Sequence, residues 1–309
     1  MAIAASSGAR LAYVPEAVFG TTPATPSFKA LRATGGGLRT NKATITSDEI
    51  RADRNVPDEA MVGQDVAGSY PFELSYGAHD DLFEAVMQGT WATNILKNGI
   101  TPKSFTFEET LELGATDAFS RYSGCMVNTL SLSVRAREKI TGSIGIMGQK
   151  EVTATTIVTG ATYAAPTSEP ILAASGSVAA LAVAGVDPVP KVRSLAFEIN
   201  NNLRTRPVVG SQYSEEFGAG RIDVTGTIEA YFESLALYDM VLAHGGGALS
   251  VTIGKDSGKK YTVLFPKIIF LNGERPIGGN SDDVMVSVPF RCVFDPTEAC
   301  SVKITRAVA

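Results

Sequence analysis

Two short motifs occur twice in this chain, in the same order. Gly35-Gly36-Gly37-Leu38-Arg39-Thr40 matches Asn200-Asn201-Asn202-Leu203-Arg204-Thr205, and Asp65-Val66-Ala67-Gly68 matches Asp223-Val224-Thr225-Gly226. Gly and Asn tolerate left-handed backbone best, so the two triplets read as equivalent turns. Each second motif opens a period-2 run. Val66, Gly68, Tyr70, Phe72 and Leu74 share one face, and Val224, Gly226, Ile228, Ala230 and Phe232 share the other run's face. Such alternation is that of a strand with one side buried. Each run leads into a short amphipathic helix. His79, Asp80 and Asp81 open the first, with Leu82, Phe83, Val86 and Met87 on its stripe; Ser234 caps the second, with Leu235, Tyr238, Val241 and Leu242. Gly89 and Gly245-Gly246-Gly247 are expected to end them in left-handed caps. Strands follow over residues 104–109, 129–135 and 140–147, and again over 249–253, 261–271 and 284–294, with a last one at 301–305.

The order strand, long loop, strand, helix, strands thus runs twice, which points to internal duplication. Residues 1–150 form a first unit with an N-terminal arm, and residues 191–309 a second. Residues 151–190, rich in Ala, Thr, Ser, Gly and Pro, read as a linker with a hairpin around residues 178–186. A chain of 309 residues suffices for two such units. With 44% hydrophobic and 19% charged residues it is not a disordered chain. A formal charge of −5 argues against a general nucleic-acid binder held by phosphate contacts. Cys125, Cys292 and Cys300 offer neither a paired motif nor a disulfide framework, and read as buried thiols of a reducing compartment. No signal peptide is expected at the start of the chain, which lacks a basic stretch followed by an apolar core. No membrane span is expected either, because the low-charge stretch at 153–186 is broken by Pro166, Glu169 and Pro170.

Catalytic patterns are missing from the sequence. His79 and His244 are the only histidines, and both fall at expected helix ends. In Gly254-Lys255-Asp256-Ser257-Gly258-Lys259-Lys260 three residues separate the glycines where a phosphate-binding loop needs four. Gly142, Gly145 and Gly148 do not make a dinucleotide fingerprint. The acid pairs Asp48-Glu49, Asp58-Glu59, Glu215-Glu216 and Asp282-Asp283 fall in expected loops without calcium-loop spacing. The sequence therefore predicts no enzyme, cofactor or metal. It favours self-association, because short strands leave sheet edges that must be covered, charged or paired. The long loops at 40–65 and 205–223 read as arms that order on a neighbouring subunit.

Several segments resemble the tail tube proteins of long-tailed, siphophage-type bacteriophages. They are Glu16-Ala17-Val18-Phe19-Gly20-Thr21-Thr22-Pro23, Ser47-Asp48-Glu49-Ile50-Arg51, Asp80-Asp81-Leu82-Phe83-Glu84-Ala85 with Gly89-Thr90-Trp91, and Tyr122-Ser123-Gly124 with Val127-Asn128-Thr129-Leu130-Ser131-Leu132. The resemblance implies a β-sandwich or barrel-like tube domain with one short flanking helix; many such relatives carry one tube domain per chain and form hexameric rings, whereas the repeated motifs make this a mainly β chain of two such domains in tandem. It also implies a structural virion protein of the tail, assembled in the host cytoplasm into stacked rings around a bore through which the genome passes. Two domains per chain would make a trimer a pseudo-hexamer. Expected partners are other copies of the chain, the tape measure, tail terminator and distal tail proteins, and DNA in transient passage, with no membrane. The bore should be neutral to acidic, lined by polar strand faces that include Ser69, Glu73, Ser75, Thr225, Thr227, Glu229 and Glu233. Asp48, Glu49, Arg51, Arg54, Asp58 and Glu59 should touch the adjacent ring. The competing readings are another β-rich virion component, at the tail tip or on the capsid, and a β-sandwich hydrolase.

Overall fold

In the computed structural model, which describes residues 3–183, 185–186 and 189–308, the expected alternation becomes a mainly β architecture. The N-terminal part runs β1 (Arg10–Pro15), β2 (Ser27–Ala30), β3 (Gly37–Thr46) and β4 (Glu59–Glu73). Helix α1 (Asp80–Met87) and β5 (Ile95–Lys97) follow, then β6 (Phe105–Leu111), β7 (Ala118–Arg135), β8 (Thr141–Gly148) and β9 (Lys150–Ala154). The connecting stretch holds β10 (Thr162–Tyr163), the one-turn helix α2 (Ala174–Ser177) and β11 (Val178–Val183). Beyond it lie β12 (Val192–Asn200), β13 (Arg204–Thr205), β14 (Phe217–Gly218), β15 (Asp223–Tyr231), α3 (Ala236–Leu242), β16 (Gly246–Ile253), β17 (Tyr261–Phe270), β18 (Met285–Cys292) and β19 (Lys303–Arg306).

Among the described residues, β13 and β14 pair with each other, and the other seventeen strands join one hydrogen-bonded network rather than two separate sheets. Within it the pairings β3·β4·β8·β7·β6·β1 run in succession, and so do β12·β15·β18·β17·β16·β11. β9 adds to β7 as β19 adds to β17. The two series meet where β12 pairs antiparallel with β7, from Ser194 opposite Arg135 to Asn200 opposite Thr129. A continuous sheet results, in the order β3–β4–β8–β7–β12–β15–β18.

Away from the outer end of the β3–β4 pair, where Ile45 and Val62 are exposed, the large apolar residues of that sheet fall on one side, because side chains alternate across a pleat. Tyr70, Phe72, Leu130, Ile144, Ile199, Ile228, Val288 and Phe290 are all buried there. Each such side chain contributes about 1.5–3 kcal/mol through the apolar surface it removes from water. Helix α1 adds Leu82, Phe83, Val86 and Met87 to this core. Its C-terminal end is clipped to the joint by buried Asn201, whose Nδ2 donates to the Val86 carbonyl at 2.9 Å and the Val127 carbonyl at 3.1 Å. The C-terminus returns to the N-terminal half. β19 pairs with β5, and Asp80 of α1 accepts from Tyr261 Oη at 2.5 Å and Arg306 Nη1 at 2.6 Å.

Several expectations change. Helix α1 ends in a left-handed Gln88 (φ 46), not at Gly89, and left-handed His244 (φ 50) follows α3, ahead of Gly245. Leu235 holds the N-cap position of α3; Ser234 Oγ still accepts from the Ala236 N–H at 3.4 Å. Of the paired motifs, only Asp-Val-Ala-Gly and Asp-Val-Thr-Gly occupy matching places in the sheet. Gly68 lies opposite Leu38 and Gly226 opposite Phe197, so the counterpart of Leu38 is Phe197, not Leu203. The Gly-rich and Asn-rich triplets are therefore out of phase. Most of the expected loop at 40–65 is a β-hairpin, since β3 and β4 stay paired out to Thr46 and Glu59. The loop at 205–223 docks on its own chain. Ser214 donates through N–H (3.2 Å) and Oγ (2.9 Å) to the Asp65 carboxylate, the Gln64 N–H donates to the Gln212 carbonyl at 2.7 Å, and Phe217 packs edge-on against Phe19. In the stretch expected to hold a hairpin, β11 pairs with β16; residues 184, 187 and 188 there lie outside the described residues.

His79 stands at the N-cap of α1 but makes no cap bond. Its ring is buried against Phe72, 4.3 Å between centroids, with Nε2–H placed to donate to the Arg32 carbonyl at 3.1 Å and with Nδ1 unpartnered. Burial, reinforced by the Arg32 charge, pulls its pKa from 6.5 down to about 4. The folded state therefore resists protonation that the unfolded chain accepts. Stability from this group is complete above pH 6.5 and is lost as pH falls from 6.5 toward 4, on the order of 3 kcal/mol in all. Denaturant titrations should show that loss between neutral and acid pH, and His79→Gln should flatten it. An unchanged slope in the variant would exclude His79 as the source.

Candidate functional site

The side of the seven-strand sheet that faces away from the core is polar and lined by small residues. Cross-strand register builds it row by row. Ser143 of β8 stands opposite Ser131 of β7, Ser131 opposite Glu198 of β12, Glu198 opposite Thr225 of β15, and Thr225 opposite Arg291 of β18. The next row holds Thr141, Ser133, Ala196, Thr227 and Pro289. Where these strands meet, the face is hollowed into an open groove of about 610 Å³.

The three acids expected on polar faces each have a cationic partner. Glu73 pairs with Lys139, Glu233 with Lys191, and Glu229 with Arg193 at 3.8 Å while accepting from Ser194 Oγ at 3.0 Å. Glu233 raises the Lys191 pKa, as an adjacent carboxylate must. The cations come from the β7–β8 turn and from the start of β12, elements distant in sequence from the acids, so a search along single strands misses them. Ser75 does not join this face. It lies past the end of β4, fully buried, and accepts from Arg32 Nη1 at 2.8 Å.

The hairpin of β3 and β4 carries the second set of expected residues. Asp48, Glu49, Arg51, Arg54, Asp58 and Glu59 are all exposed at and beside its tip. Arg51 forks onto Asp53 with bonds of 2.9 and 2.7 Å, holding that carboxyl well below the ordinary range. Arg54 is left-handed (φ 61), and the Ser47 N–H donates to the Asp58 carbonyl at 2.9 Å across the base of the tip. The sequence reading missed an apolar component. Ile45, Ile50, Val56 and Val62 are exposed along the same hairpin, Ile50 completely. Scattered apolar residues are ordinary on a surface, but four on one projection are not scattered.

Buried Glu108 and half-buried Glu109 and Glu16 have structural partners. Glu108, 1% exposed, accepts from Arg121 Nε and Tyr163 Oη, both at 2.7 Å, with Arg10 at 3.6 Å. Burial and this carboxylate push the Tyr163 pKa up to about 12. Glu109 accepts from Tyr70 Oη at 2.6 Å and the Leu38 N–H at 3.0 Å; Glu16 accepts from Thr106 Oγ1 at 2.7 Å and from the Gly124 and Gly20 N–H groups at 3.0 and 2.9 Å. These contacts staple the N-terminal arm to β6 and β7. Gly254 to Lys260 form the turn between paired β16 and β17, with no helix behind it to hold a phosphate. All three cysteines are buried and free, and burial raises each thiol pKa, away from the reactive thiolate. No three His, Cys, Asp or Glu side chains cluster as metal ligands among the described residues.

A family model described as phage tail tube protein matches residues 6–292 of the 309-residue chain. A search of curated proteins finds no match.

Proposed function

This chain belongs to the phage tail tube protein family, and from that premise we propose that it assembles into stacked rings whose bore conducts the genome, with three chains per ring. What supports the stoichiometry is the recurrence of one pairing order, β3·β4·β8·β7·β6·β1 and β12·β15·β18·β17·β16·β11. On this reading each chain is an internal duplication that supplies two tube-type units, and three chains supply six. The ring is a component of the virion tail, built in the host cytoplasm, and meets the tape measure, tail terminator and distal tail proteins at its bore and ends. A reconstruction of assembled tubes is expected to place three copies around the axis; six copies would overturn the trimer.

The polar face of the seven-strand sheet is the proposed bore wall. Its fitness lies in neutrality: each unpaired Lys or Arg facing DNA would add salt-dependent adhesion to phosphates. Glu73, Glu229 and Glu233 would then serve to neutralise Lys139, Arg193 and Lys191. The double change Glu229→Lys and Glu233→Lys leaves two cations unpaired and adds two more. It should leave tube assembly intact and slow genome delivery, most at low salt. Delivery at the wild-type rate would remove these residues from the bore.

The β3–β4 hairpin is the proposed contact with the adjacent ring. Ordering its tip costs about 1–2 kcal/mol per residue, and the exposed Ile45, Ile50, Val56 and Val62 supply apolar surface that a partner can bury. Replacing residues 47–58 by Asn-Gly should change subunit stability by no more than about 0.5 kcal/mol, while long tubes fail to form on electron micrographs. Normal tubes would refute the role.

A further inference from the structure

Asn-Gly occurs twice in the chain, as Asn98-Gly99 and as Asn272-Gly273. A glycine gives the backbone after an asparagine the freedom to bring its amide nitrogen onto the side-chain Cγ. Such a pair is reactive unless the fold holds both groups. The first pair is held. Asn98 Oδ1 accepts from the Ser301 and Val302 N–H groups at 2.8 and 3.2 Å, and the Gly99 N–H donates to the Met87 carbonyl at 2.8 Å. The second pair lies just past β17, where the chain still runs beside β18 but carries an extra residue. Phe270 stands opposite Phe290, and the Leu271 N–H donates to the Pro289 carbonyl at 2.8 Å, whereas Glu274 bridges to Ser287. The advance from 270 to 274 on one side thus matches only 290 to 287 on the other, which makes a β-bulge. Asn272 and Gly273 are the residues inside it. Asn272 is exposed, and among the described residues neither its amide nor the Gly273 N–H has a hydrogen-bond partner.

We propose that Asn272 is a site of spontaneous deamidation, at which water converts it, by way of the Gly273 amide, to aspartate and isoaspartate while Asn98 persists. Loss of the Gly273 amide proton to hydroxide lets that nitrogen attack Cγ of Asn272. The bond from Cγ to Nδ2 breaks, ammonia leaves with a proton from water, and a succinimide ring closes. Water then opens the ring at either carbonyl. Opening at the side-chain carbonyl gives aspartate; opening at the main-chain carbonyl gives isoaspartate, whose backbone runs through the former side chain. Nothing is oxidised or reduced, and water is the co-reactant.

A third asparagine shows how the fold restrains a bulge when it does so. β7 holds the place in the first pairing series that β17 holds in the second, and it has its own bulge at Asn128, between Val127 opposite Ile146 and Thr129 opposite Gly145. There Oδ1 accepts from the Leu203 N–H at 2.9 Å, and a threonine follows. Asn272 has neither restraint. What surrounds Gly273 sets the consequence. A Cβ on it would lie 3.0 Å from Val241 Cγ1 of α3 and 3.4 Å from the Ser287 carbonyl oxygen. Isoaspartate lengthens the main chain at this close-packed point, between the bond from Leu271 to Pro289 and the two bonds of 3.0 Å that join Glu274 and Ser287. The Glu274–Ser287 pair then opens, next to the less buried of the two long helices.

The test is peptide mapping by mass spectrometry of the full-length chain, kept as unassembled subunits and aged at mildly alkaline pH in water enriched in heavy oxygen. In folded protein the Asn272 peptide should show amide-to-acid exchange with labelled oxygen at least about tenfold faster than the Asn98 peptide, because the hydrogen bonds that hold Asn98 and Gly99 must open first. In denaturant the two rates should converge. Equal rates in the folded protein overturn the proposal, and so does an Asn272 peptide that stays unchanged while the denatured chain converts. Hydrogen exchange measures the consequence. The Glu274 and Ser287 amides of aged protein should exchange about tenfold faster than those of fresh protein. Asn272→Gln, whose longer side chain closes the ring far more slowly, should keep fresh-protein exchange throughout. Protection lost equally in that variant, or retained in fully converted wild-type protein, would overturn the opening of the pair.

Discussion

The antiparallel pairing of β12 with β7 is the contact on which the molecule depends. It aligns residues 194–200 with residues 135–129 and turns two series of strands into one sheet with a single apolar side. A slip of one residue there would move every side chain of β12 to the wrong face, putting Leu195, Phe197 and Ile199 on the polar surface and Glu198 into the core. The backbone bonds alone do not prevent such a slip. Burial of Leu195, Phe197 and Ile199 does, and Asn201 adds to it, since its buried amide bonds to the carbonyls of Val86 and Val127 in the observed register. Leaving those groups unpaired in a dry site costs on the order of 1–3 kcal/mol.

Around that joint the two halves are closed differently. In the N-terminal half, helix α1 is almost wholly buried, and Asp80 at its start is fixed by Tyr261 and Arg306 from the far end of the chain. In the C-terminal half, α3 buries only Leu237 completely, and Leu235 and Leu242 on its expected stripe stay exposed. The repeat of pairings is thus accompanied by a difference in what covers it. Strand order is held by backbone geometry, which tolerates many side chains, whereas helix burial depends on particular ones.

Period-2 patterning made the strands legible in the sequence. Val66 to Leu74 and Val284 to Phe294 read as half-buried strands because burial on one face is the physical origin of the alternation, although β18 ends at Cys292 and Phe294 beyond it is exposed. The Asp-Val-X-Gly pair was legible for a related reason: glycine recurs where backbone packs too closely for a Cβ. A Cβ on Gly68 would come within 2.1 Å of the Gly37 carbonyl oxygen, and one on Gly226 within 2.6 Å of the Ala196 carbonyl oxygen. The triplets Gly35-Gly36-Gly37 and Asn200-Asn201-Asn202 misled, because residues of similar turn tendency serve different turns. The position of His79 at a helix end was legible but its burial was not, because its environment, the face of Phe72, is set by tertiary contact and leaves no local signature. The cationic partners of Glu73, Glu229 and Glu233 were hidden for the same reason, each lying on another element.

The joint also bears on how the chain must fold. β7 is complete long before β12 is synthesised, and the stretch from 136 to 191 separates them. Until β12 arrives, the edge of β7 is an open template that accepts any β12, including one from another molecule. The intervening stretch settles the competition by keeping its own β12 at a high effective concentration, since β8 and β9 within it are paired to the N-terminal half. Where nascent chains are more crowded than that, exchange of whole C-terminal halves between molecules satisfies every backbone bond equally well. The fold therefore carries a built-in route to domain swapping, held off by tether length rather than by any feature of the joint.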